Sequence, residues 1–450
     1  MRKIQNRSML ILLLTLAFFA GIVYHITNLS IHASEWASMP INGHIADTTG
    51  LDHAGTIYDR NGVILAQSVN GKRIYNEDET TRRACLHVVG DDSINISTAV
   101  QTAYRSELGS YNIVFGLGLP ESLKKGSDMT LTIDSKMQKA AYEALGSNRG
   151  AVVVYNYKTG EILCLASTPA YDPENIPDDI ETNDEYEGAY INRCVSATYP
   201  PGSTFKLVTA AAALNNVKEA ENSTYDCQGS AEIGGKEMSC YEISGLVDMK
   251  QAMCESCNLY FGQYAVNLGK DAMTRQAEAM GFNKNITYDG IETAKSVYNV
   301  KNATTNDLAW SGVGQYTVLE SPLNMAMISA SIANGGKAYE PYILKTNPNP
   351  LKFEGHKTKT MLDSKTASML YEMMDYTAAN NYGKGSFSET LDVCAKTGTA
   401  EVDEGGAHAW VTGFCKDEDH PLAFAVIVEH GDSGYRAAVP VAASVLAAVA

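Results

Sequence analysis

The stretch of sequence that decides the fold is Tyr199-Pro200-Pro201-Gly202-Ser203-Thr204-Phe205-Lys206. Its prolines and glycine end the preceding segment, and the alanine-rich run after it predicts a helix over residues 205–214. Ser203 would lie in the first turn of that helix, and Lys206, three residues later, would share its face. The free N–H groups of a helix start favour an anion. The stretch therefore predicts a nucleophile, its base and an oxyanion site within one turn, although an ordinary capped helix start fits the same residues.

Two further short patterns follow in chain order, Ser256-Cys257-Asn258 and Lys396-Thr397-Gly398. Second copies show how weak each pattern is alone. Ser122–Lys125 repeats Ser-x-x-Lys in a polar stretch with no apolar helix behind it. Lys158-Thr159-Gly160 repeats the third pattern at a predicted hairpin tip, where Thr-Gly is ordinary turn chemistry, and we interpret it as structural.

These residue types suit acyl transfer through a serine ester. The Ser203 hydroxyl is a poor nucleophile until a base removes its proton. Lys206 can be that base only if burial, or the like charge of Lys396, lowers its pKa. Ser256 would pass a proton to the leaving amine, and the Asn258 amide would hold a substrate carbonyl.

The third pattern lies inside a predicted strand. Gly398 within a strand indicates close approach by another segment or a ligand, which suits an edge strand that pairs with a peptide substrate. Backbone N–H groups of Ser203 and Thr399 would then form an oxyanion hole. Lys396 and the hydroxyls of Thr397 and Thr399 suit a substrate carboxylate.

The composition is that of a folded chain of two or three domains, with 450 residues, 45% hydrophobic and 19% charged. The net charge of −17 argues against nucleic-acid binding, because such proteins carry a basic face. Among nine scattered cysteines, Cys254 and Cys257 have C-x-x-C spacing, but no second pair or histidine run adds ligands. We therefore predict no metal site and no cofactor. Cys227 and Cys240 flank a glycine-rich segment and would form either a disulfide or two buried free thiols.

The N-terminal segment predicts a membrane anchor. Residues 1–7 are basic, and residues 9–26 are almost wholly apolar, close to the roughly 20 residues that a membrane span requires. A cleaved signal peptide would have a shorter apolar region and an A-x-A site, so an uncleaved signal anchor over residues 8–30 is favoured. The basic residues place the N-terminus in the cytoplasm and the rest of the chain outside the membrane.

Residues 31–125 are predicted to form a stalk and a small N-terminal pedestal domain, and residues 126–450 the catalytic domain. Asn61-Gly62 predicts a hairpin turn, and one helix is predicted over residues 97–108. In the catalytic domain the predicted order is two strands, a block of helices, three strands and a last helix; the predicted ranges are 150–157, 161–166, 391–400, 408–415, 422–430 and, for the last helix, 437–450. This order predicts an α+β fold with one antiparallel five-stranded sheet built from both ends of the domain and flanked by helices.

With these motifs the sequence resembles the class B penicillin-binding proteins, the monofunctional D,D-transpeptidases of bacterial wall synthesis. Residues 55–62 look like the N-terminal-domain signature of that family, residues 199–206 like its nucleophile box, and residues 396–401 with His408-Ala409-Trp410 like its third box and next strand. The resemblance implies the fold shared by penicillin-binding proteins and serine β-lactamases, with a pedestal or dimerisation-like domain before it.

The resemblance implies a mechanism as well. Ser203 would attack the carbonyl between two terminal D-alanines of a peptidoglycan stem peptide, D-alanine would leave, and an amine of a neighbouring stem would resolve the acyl-enzyme into a cross-link. β-Lactams would mimic the D-Ala-D-Ala end and acylate Ser203. A separate glycosyltransferase partner is implied, because no glycosyltransferase domain is visible. Gly314-Gln315-Tyr316 departs from the Gly-Gln-Gly of many members, and the sequence leaves open a role in elongation, division or sporulation.

Three alternatives share parts of this pattern. A class D-like serine β-lactamase shares Ser-Thr-Phe-Lys. The membrane anchor and the preceding domain predicted for this chain argue against it, as does Asn258, where class D enzymes have an aliphatic residue. A β-lactam sensor would be acylated without turnover, but it needs a multi-span signalling segment. A D,D-carboxypeptidase shares all three patterns and differs only in using water in place of the amine.

Overall fold

The computed structural model describes residues 2–37, 51–109, 126–345, 357–383, 385–387 and 390–449. Its α-helices are Arg2–Ala37, Glu79–Val89, Val100–Ala103, Arg105–Leu108, Ser135–Leu145, Lys206–Asn216, Met249–Cys254, Asn258–Ala279, Thr305–Ser311, Pro322–Ala333, Ser364–Thr377 and Val439–Ala447. Its strands, numbered in chain order, are β1 Ile57–Tyr58, β2 Ile64–Val69, β3 Lys72–Tyr75, β4 Met129–Thr130, β5 Gly150–Asn156, β6 Ile162–Thr168, β7 Tyr225–Cys227, β8 Ser230–Ile233, β9 Lys236–Ser239, β10 Gly245–Val247, β11 Thr287–Tyr288, β12 Ile291–Glu292, β13 Lys337–Tyr339, β14 Thr358–Thr360, β15 Val393–Ala400, β16 His408–Cys415 and β17 Leu422–Val428.

A five-stranded sheet in the order β15-β16-β17-β5-β6 forms the centre of the catalytic domain. Every neighbouring pair is antiparallel, and Gly398 of β15 pairs with Trp410 of β16. The predicted sheet, built from both ends of the domain, is confirmed. Strand β15, which carries the Lys-Thr-Gly pattern, lies at one edge of the sheet.

Both faces of this sheet are covered, so its strands are buried at almost every position. Along β5, Val153 and Tyr155 pack in the same core as the buried helix Pro322–Ala333. The alternate residues of β5 pack on the other face with the helices Ser135–Leu145 and Val439–Ala447. The sheet is therefore a rigid middle layer from which the edge strand β15 presents its side chains.

A smaller sheet in the order β3-β2-β1-β4 lies in the N-terminal part of the chain. Gly62, in the predicted Asn61-Gly62 turn between β1 and β2, has a φ of +84°, as that turn requires. The buried Asp59 carboxylate accepts hydrogen bonds from the backbone N–H groups of Asn61 and Val63 and from the N–H and hydroxyl of Ser135. Strand β4 lies after residue 125, so this sheet includes residues from both sides of the predicted domain boundary, which stays a prediction.

Several predicted elements have different bounds. The helix predicted over residues 97–108 is two short helices, Val100–Ala103 and Arg105–Leu108. The helix Glu79–Val89 was not predicted, although Asp78 accepts a hydrogen bond from the Thr81 N–H at its start. The second Ser-x-x-Lys copy, Ser122–Lys125, lies outside the described residues.

The N-terminal helix Arg2–Ala37 contains one segment, Asn6–Asn28, that is long and apolar enough to cross a membrane. The segment has 23 residues and a mean hydropathy of 2.3, and none of its most apolar window is buried against the rest of the chain. It is compatible with the predicted membrane anchor.

Candidate active site

The nucleophile turn is a single 3-10 turn, Gly202–Phe205, that leads directly into the helix Lys206–Asn216. The first eight residues of this helix are buried, which fixes the turn in place. The Phe205 ring stacks on Tyr298 at a centroid distance of 5.3 Å and packs edge-on against Phe282. Ser203 is the partly exposed residue of the turn, so its hydroxyl is accessible from solvent while its neighbours are anchored.

Lys206 lies at the centre of the candidate site. Its fully buried Nζ is 2.9 Å from Ser203 Oγ, 3.0 Å from Ser256 Oγ and 2.7 Å from Asn258 Oδ1, and it also contacts the Ser256 carbonyl oxygen. The two carbonyl-type oxygens can only accept hydrogen bonds, and a neutral amine has two N–H groups to donate to them. The remaining lone pair of a neutral Lys206 is then available for a hydroxyl proton. The structure brings together three of the four predicted catalytic residues at this one nitrogen.

The fourth, Lys396, lies on the other side of Ser256. Its Nζ donates to Ser256 Oγ at 3.0 Å and to the Thr397 carbonyl at 2.9 Å. Burial lowers the pKa of Lys396 to about 7. Burial is also the largest cause that holds the pKa of Lys206 well below its ordinary value, and the charge of Lys396 is the second. The sequence offered burial and a like charge as two possible causes of a lowered Lys206 pKa, and the structure supports both, with burial the larger.

The Ser256-Cys257-Asn258 loop joins the helices Met249–Cys254 and Asn258–Ala279. Ser256 has a φ of +55°, a left-handed conformation that is unfavourable for a residue with a side chain. Asn258 Nδ2 donates to the Ser239 carbonyl at 2.9 Å, while its Oδ1 accepts from Lys206. These two bonds fix the Asn258 amide and use its oxygen and one of its two N–H groups, and its role in binding a substrate carbonyl stays a prediction.

Two glycines allow the nucleophile turn to lie directly against β15. A Cβ at Gly398 would be 2.8 Å from the Pro201 carbonyl oxygen and 3.2 Å from the Thr204 nitrogen. A Cβ at Gly202 would be 2.4 Å from the Thr399 carbonyl oxygen. The contacts of 2.8 and 2.4 Å with backbone oxygens are shorter than real Cβ atoms make, and the contact of 3.2 Å is tight, so a side chain at either position would push the turn away from the strand. The close approach predicted for Gly398 is present.

The free edge of β15 faces the site. The Thr397 N–H donates to the Tyr382 hydroxyl at 2.9 Å, and the Thr397 carbonyl accepts from Lys396, so both groups point away from β16. Because the direction of backbone groups repeats every second residue, the N–H of Thr399 points to the same edge. Thr399 is exposed and lies beside the nucleophile turn, and its role as an oxyanion donor stays a prediction.

Tyr382 is a site residue that the sequence did not reveal. It is buried, its hydroxyl lies 2.8 Å from Thr397 Oγ1, and its ring stacks on the half-exposed Tyr435. It lies in a single helical turn, Ala378–Tyr382, and belongs to none of the three patterns, so no local signal marked it. The Lys158 copy of Lys-Thr-Gly lies at the tip between β5 and β6, as predicted, with Lys158 and Thr159 exposed and Gly160 buried.

The Gly314-Gln315-Tyr316 segment packs against the nucleophile turn. The Gly202 N–H donates to the Gly314 carbonyl at 3.1 Å, and a Cβ at Gly314 would be 2.2 Å from the Gly202 oxygen. Tyr316 has a φ of +65° and is half exposed. A glycine would adopt this backbone without strain, so Tyr316 carries a conformational cost at a position next to the site.

Residues 150–447 match the family model described as the penicillin binding protein transpeptidase domain. The chain belongs to this family. This class B penicillin-binding protein is 28% identical over 416 residues to peptidoglycan D,D-transpeptidase PbpA of Mycolicibacterium smegmatis, with 82% of each chain covered. It is 27% identical over 367 residues to peptidoglycan D,D-transpeptidase MrdA of Acinetobacter baumannii, which covers 73% of this chain and 54% of that one.

Solved structures of relatives have the same fold as this penicillin-binding protein. Penicillin-binding protein A of M. tuberculosis, solved as a penicillin G acyl-enzyme complex, superimposes with a TM-score of 0.76 at 27% identity, covering 88% of this chain and 99% of that one. The D,D-transpeptidase domain of a peptidoglycan glycosyltransferase from Eggerthella lenta superimposes with a TM-score of 0.75 at 29% identity, covering 88% and 97%. The predicted fold class and family are thus confirmed.

Proposed function

We propose that this chain is a peptidoglycan D,D-transpeptidase that cross-links stem peptides through an acyl-enzyme on Ser203. The observation that carries the proposal is the buried Lys206 amine, which lies within hydrogen-bond distance of Ser203, Ser256 and Asn258 at once. A lysine amine that burial keeps neutral is a competent base for a serine hydroxyl. The related structure with penicillin G bound as an acyl-enzyme supports the same chemistry.

Acylation begins when Lys206 takes the proton of the Ser203 hydroxyl. The serine oxygen forms a bond to the carbonyl carbon of the penultimate D-alanine, and the oxyanion is held by the N–H groups of Ser203 and Thr399. As the C–N bond breaks, the proton passes from Lys206 through the Ser256 hydroxyl to the leaving D-alanine amine. The contacts of Ser256 Oγ with Lys206 and Lys396, both at 3.0 Å, support this route.

Deacylation reverses the proton path with a different amine. The acceptor amine of a neighbouring stem peptide attacks the ester carbonyl, gives up a proton through the same groups, and the C–O bond to Ser203 breaks as the serine regains its proton. The substrate backbone pairs with the outer edge of β15, the Thr397 and Thr399 hydroxyls donate hydrogen bonds to its carboxylate, and Lys396 supplies a positive charge nearby. A β-lactam forms the same ester when its ring C–N bond breaks, but the released nitrogen stays tethered to the acyl group and cannot depart to make room for the acceptor amine, so the ester persists.

The apolar segment Asn6–Asn28 supports a further part of the proposal, a single membrane anchor with a cytoplasmic N-terminus. The catalytic domain would then lie outside the cytoplasmic membrane, beside its peptidoglycan substrate. A separate glycosyltransferase would supply the glycan strands, in keeping with the family.

Fluorescent penicillin tests the nucleophile on the detergent-solubilised full chain. We expect covalent labelling of the wild type, none of Ser203→Ala or Lys206→Ala, and normal labelling of the matched control Lys158→Ala at the exposed Lys-Thr-Gly copy. Equal labelling of wild type and Ser203→Ala would overturn the assignment.

A second assay separates the transpeptidase from its three alternatives. The wild type is incubated with a stem pentapeptide and an amine acceptor, and the products are resolved by mass spectrometry. A cross-linked product with release of D-alanine supports the proposal. Hydrolysed tetrapeptide alone indicates a carboxypeptidase. In a parallel incubation with penicillin, rapid release of hydrolysed drug indicates a β-lactamase. Stable penicillin labelling, together with no D-alanine release from the pentapeptide, indicates a sensor.

A further inference from the structure

Three cysteine thiols converge directly behind the Ser256–Asn258 loop. Cys227 ends β7, Cys240 follows β9, and Cys257 is the middle residue of Ser256-Cys257-Asn258. Their sulfur atoms all lie within 4.8 Å of one another, with 3.6 Å between Cys227 and Cys240 and 3.7 Å between Cys240 and Cys257. Cys227 and Cys257 are buried and Cys240 is partly exposed.

The two shorter sulfur separations, 3.6 and 3.7 Å, match the edge length of a tetrahedral thiolate site. With Zn–S bonds of about 2.3 Å, the edges of a tetrahedron are about 3.8 Å long. A disulfide would bring two sulfur atoms to about 2.05 Å and leave the third without a role. Cys240 is close to equidistant from the other two sulfur atoms, so the arrangement favours a shared ion over one pair.

Backbone N–H groups point at two of the three sulfur atoms. The backbone N–H groups of Asn258 and Leu259 donate to Cys240 Sγ at 3.1 and 3.4 Å, and the Tyr260 N–H donates to Cys257 Sγ at 3.4 Å. These donors are the first N–H groups of the helix Asn258–Ala279, whose positive end stabilises thiolates.

We propose that Cys227, Cys240 and Cys257 bind one Zn²⁺ ion that fixes the Ser256–Asn258 loop against the strands β7 and β9. Thiolate sulfur suits Zn²⁺, which neither oxidises nor reduces its ligands. Binding releases the three thiol protons, and a water molecule or a side chain that turns toward the ion completes the tetrahedron.

The ion would act on the catalytic site through two bonded neighbours. Ser239, whose carbonyl accepts from Asn258 Nδ2, precedes Cys240, and Ser256, with its left-handed backbone, precedes Cys257. Holding both cysteines on one ion therefore fixes the amide that orients Lys206 and the hydroxyl that lies between the two lysines. The zinc site goes beyond the proposed transpeptidase function and would remain even if that function were wrong.

The sequence did not predict this site because its ligands are not paired locally. Cys257 was compared with Cys254, at C-x-x-C spacing, whereas the structure pairs it with Cys240 and Cys227, which come from separate strands. Cys254 lies outside the thiol cluster and provides a nearby buried control.

Metal analysis of the full-length, detergent-solubilised chain, purified without chelators, tests the binding. We expect about one zinc per chain in the wild type and in Cys254→Ala, and a severalfold loss in Cys240→Ala. Should Cys240→Ala fail to fold, Co²⁺ added to the zinc-stripped wild type gives a direct readout, the intense sulfur-to-metal charge-transfer absorption of a thiolate site. No metal in the wild type, or a mass loss of two hydrogen atoms that maps to a disulfide among these cysteines, would overturn the proposal.

The effect on the active site is measured with fluorescent penicillin before and after zinc is removed by a strong chelator. We expect labelling to slow by about 10- to 100-fold, the usual cost of losing a group that orients a site, and to recover when Zn²⁺ but not Mg²⁺ is returned. Unchanged labelling of a chain shown to be metal-free would refute the role in fixing the loop. A chain that binds zinc but does not release D-alanine would refute the transpeptidase and leave the metal site intact.

Discussion

Replacing Lys396 by methionine is expected to move the acid limb of the acylation rate profile by about two pH units. Lys206 Nζ and Lys396 Nζ each lie 3.0 Å from Ser256 Oγ, so the two nitrogens are at most twice that distance, about 6 Å, apart. Two positive charges at that separation repel by about 3 kcal/mol at an effective dielectric constant of about 20, which equals about two pKa units. Methionine keeps the apolar stem and removes the charge.

The limb is expected to move to higher pH. Lys206 must be neutral to accept the Ser203 proton, so acylation rises as the pH rises through the pKa of Lys206. The charge of Lys396 lowers that pKa, and its removal raises it. Burial is the larger cause and is unchanged, so the pKa of Lys206 in the variant still lies below its ordinary value. The pKa of Lys396 is itself lowered to about 7, so the comparison is made below neutral pH, where Lys396 is charged in the wild type.

Second-order rate constants for acylation by a fluorescent penicillin, measured across the acid and neutral range, check this prediction. The control is Lys158→Met, which removes an exposed lysine from the other Lys-Thr-Gly segment and should leave the profile unchanged. A Lys396→Met profile that is lower at every pH but not displaced would refute the reasoning, because Lys396 would then position Ser256 without influencing the charge of Lys206.

Three further substitutions test contacts around the site and the N-terminal sheet. Gly398→Ala is expected to displace the nucleophile turn and slow penicillin acylation about 100-fold. Its control, Gly150→Ala, places a methyl group against a backbone carbonyl three strands away, and it should lower the thermal midpoint without slowing acylation by the folded protein. Equal acylation rates for the two variants would contradict this prediction. Tyr382→Phe removes the hydroxyl that bonds to β15 and should slow acylation about tenfold, which corresponds to an activation free energy higher by about 1.4 kcal/mol. The control Tyr435→Phe keeps the stacked ring pair and should not slow acylation. Asp59→Ala leaves buried backbone donors without a partner and should lower the free energy of unfolding by about 2–4 kcal/mol in denaturant titrations, and a loss no larger than that of the exposed Asp52→Ala would argue against it.

The sequence predicted those parts of the molecule that depend on neighbouring residues. The strand His408–Cys415 was predicted with the bounds that the structure has, because a continuous apolar run between turn residues is a local signal. The approach of Lys206 to Ser203, at 2.9 Å, follows from their spacing on a helical turn. The three short patterns could be assigned to one site because the sequence places the first at a helix start, the second between two helices and the third in a strand, as acyl transfer to a bound peptide requires.

Features that depend on residues distant in the chain were missed or only partly predicted. Tyr382 reaches Thr397 across the end of a helix, and Asn258 reaches Lys206 across 52 positions of sequence. The sequence assigned the Asn258 amide to substrate binding alone, whereas in the structure its oxygen also accepts a hydrogen bond from Lys206. The helix Glu79–Val89 was missed for a different reason, because two arginines interrupt its apolar pattern and only the tertiary contacts show which of its faces is buried.

The backbone of Ser256 explains how one short loop serves both the catalytic groups and the thiols. Ser256 is left-handed and Cys257 is extended, so the side chains of Ser256 and Asn258 reach Lys206 while the side chain between them turns away, toward Cys240. A left-handed residue with a side chain costs about 1–2 kcal/mol, which contacts on both sides of the loop must offset. On one side these contacts are the two lysines, and on the other they are the thiols. A change of state at the thiols is therefore expected to displace the Ser256 hydroxyl, since both sets of contacts hold that strained residue in place.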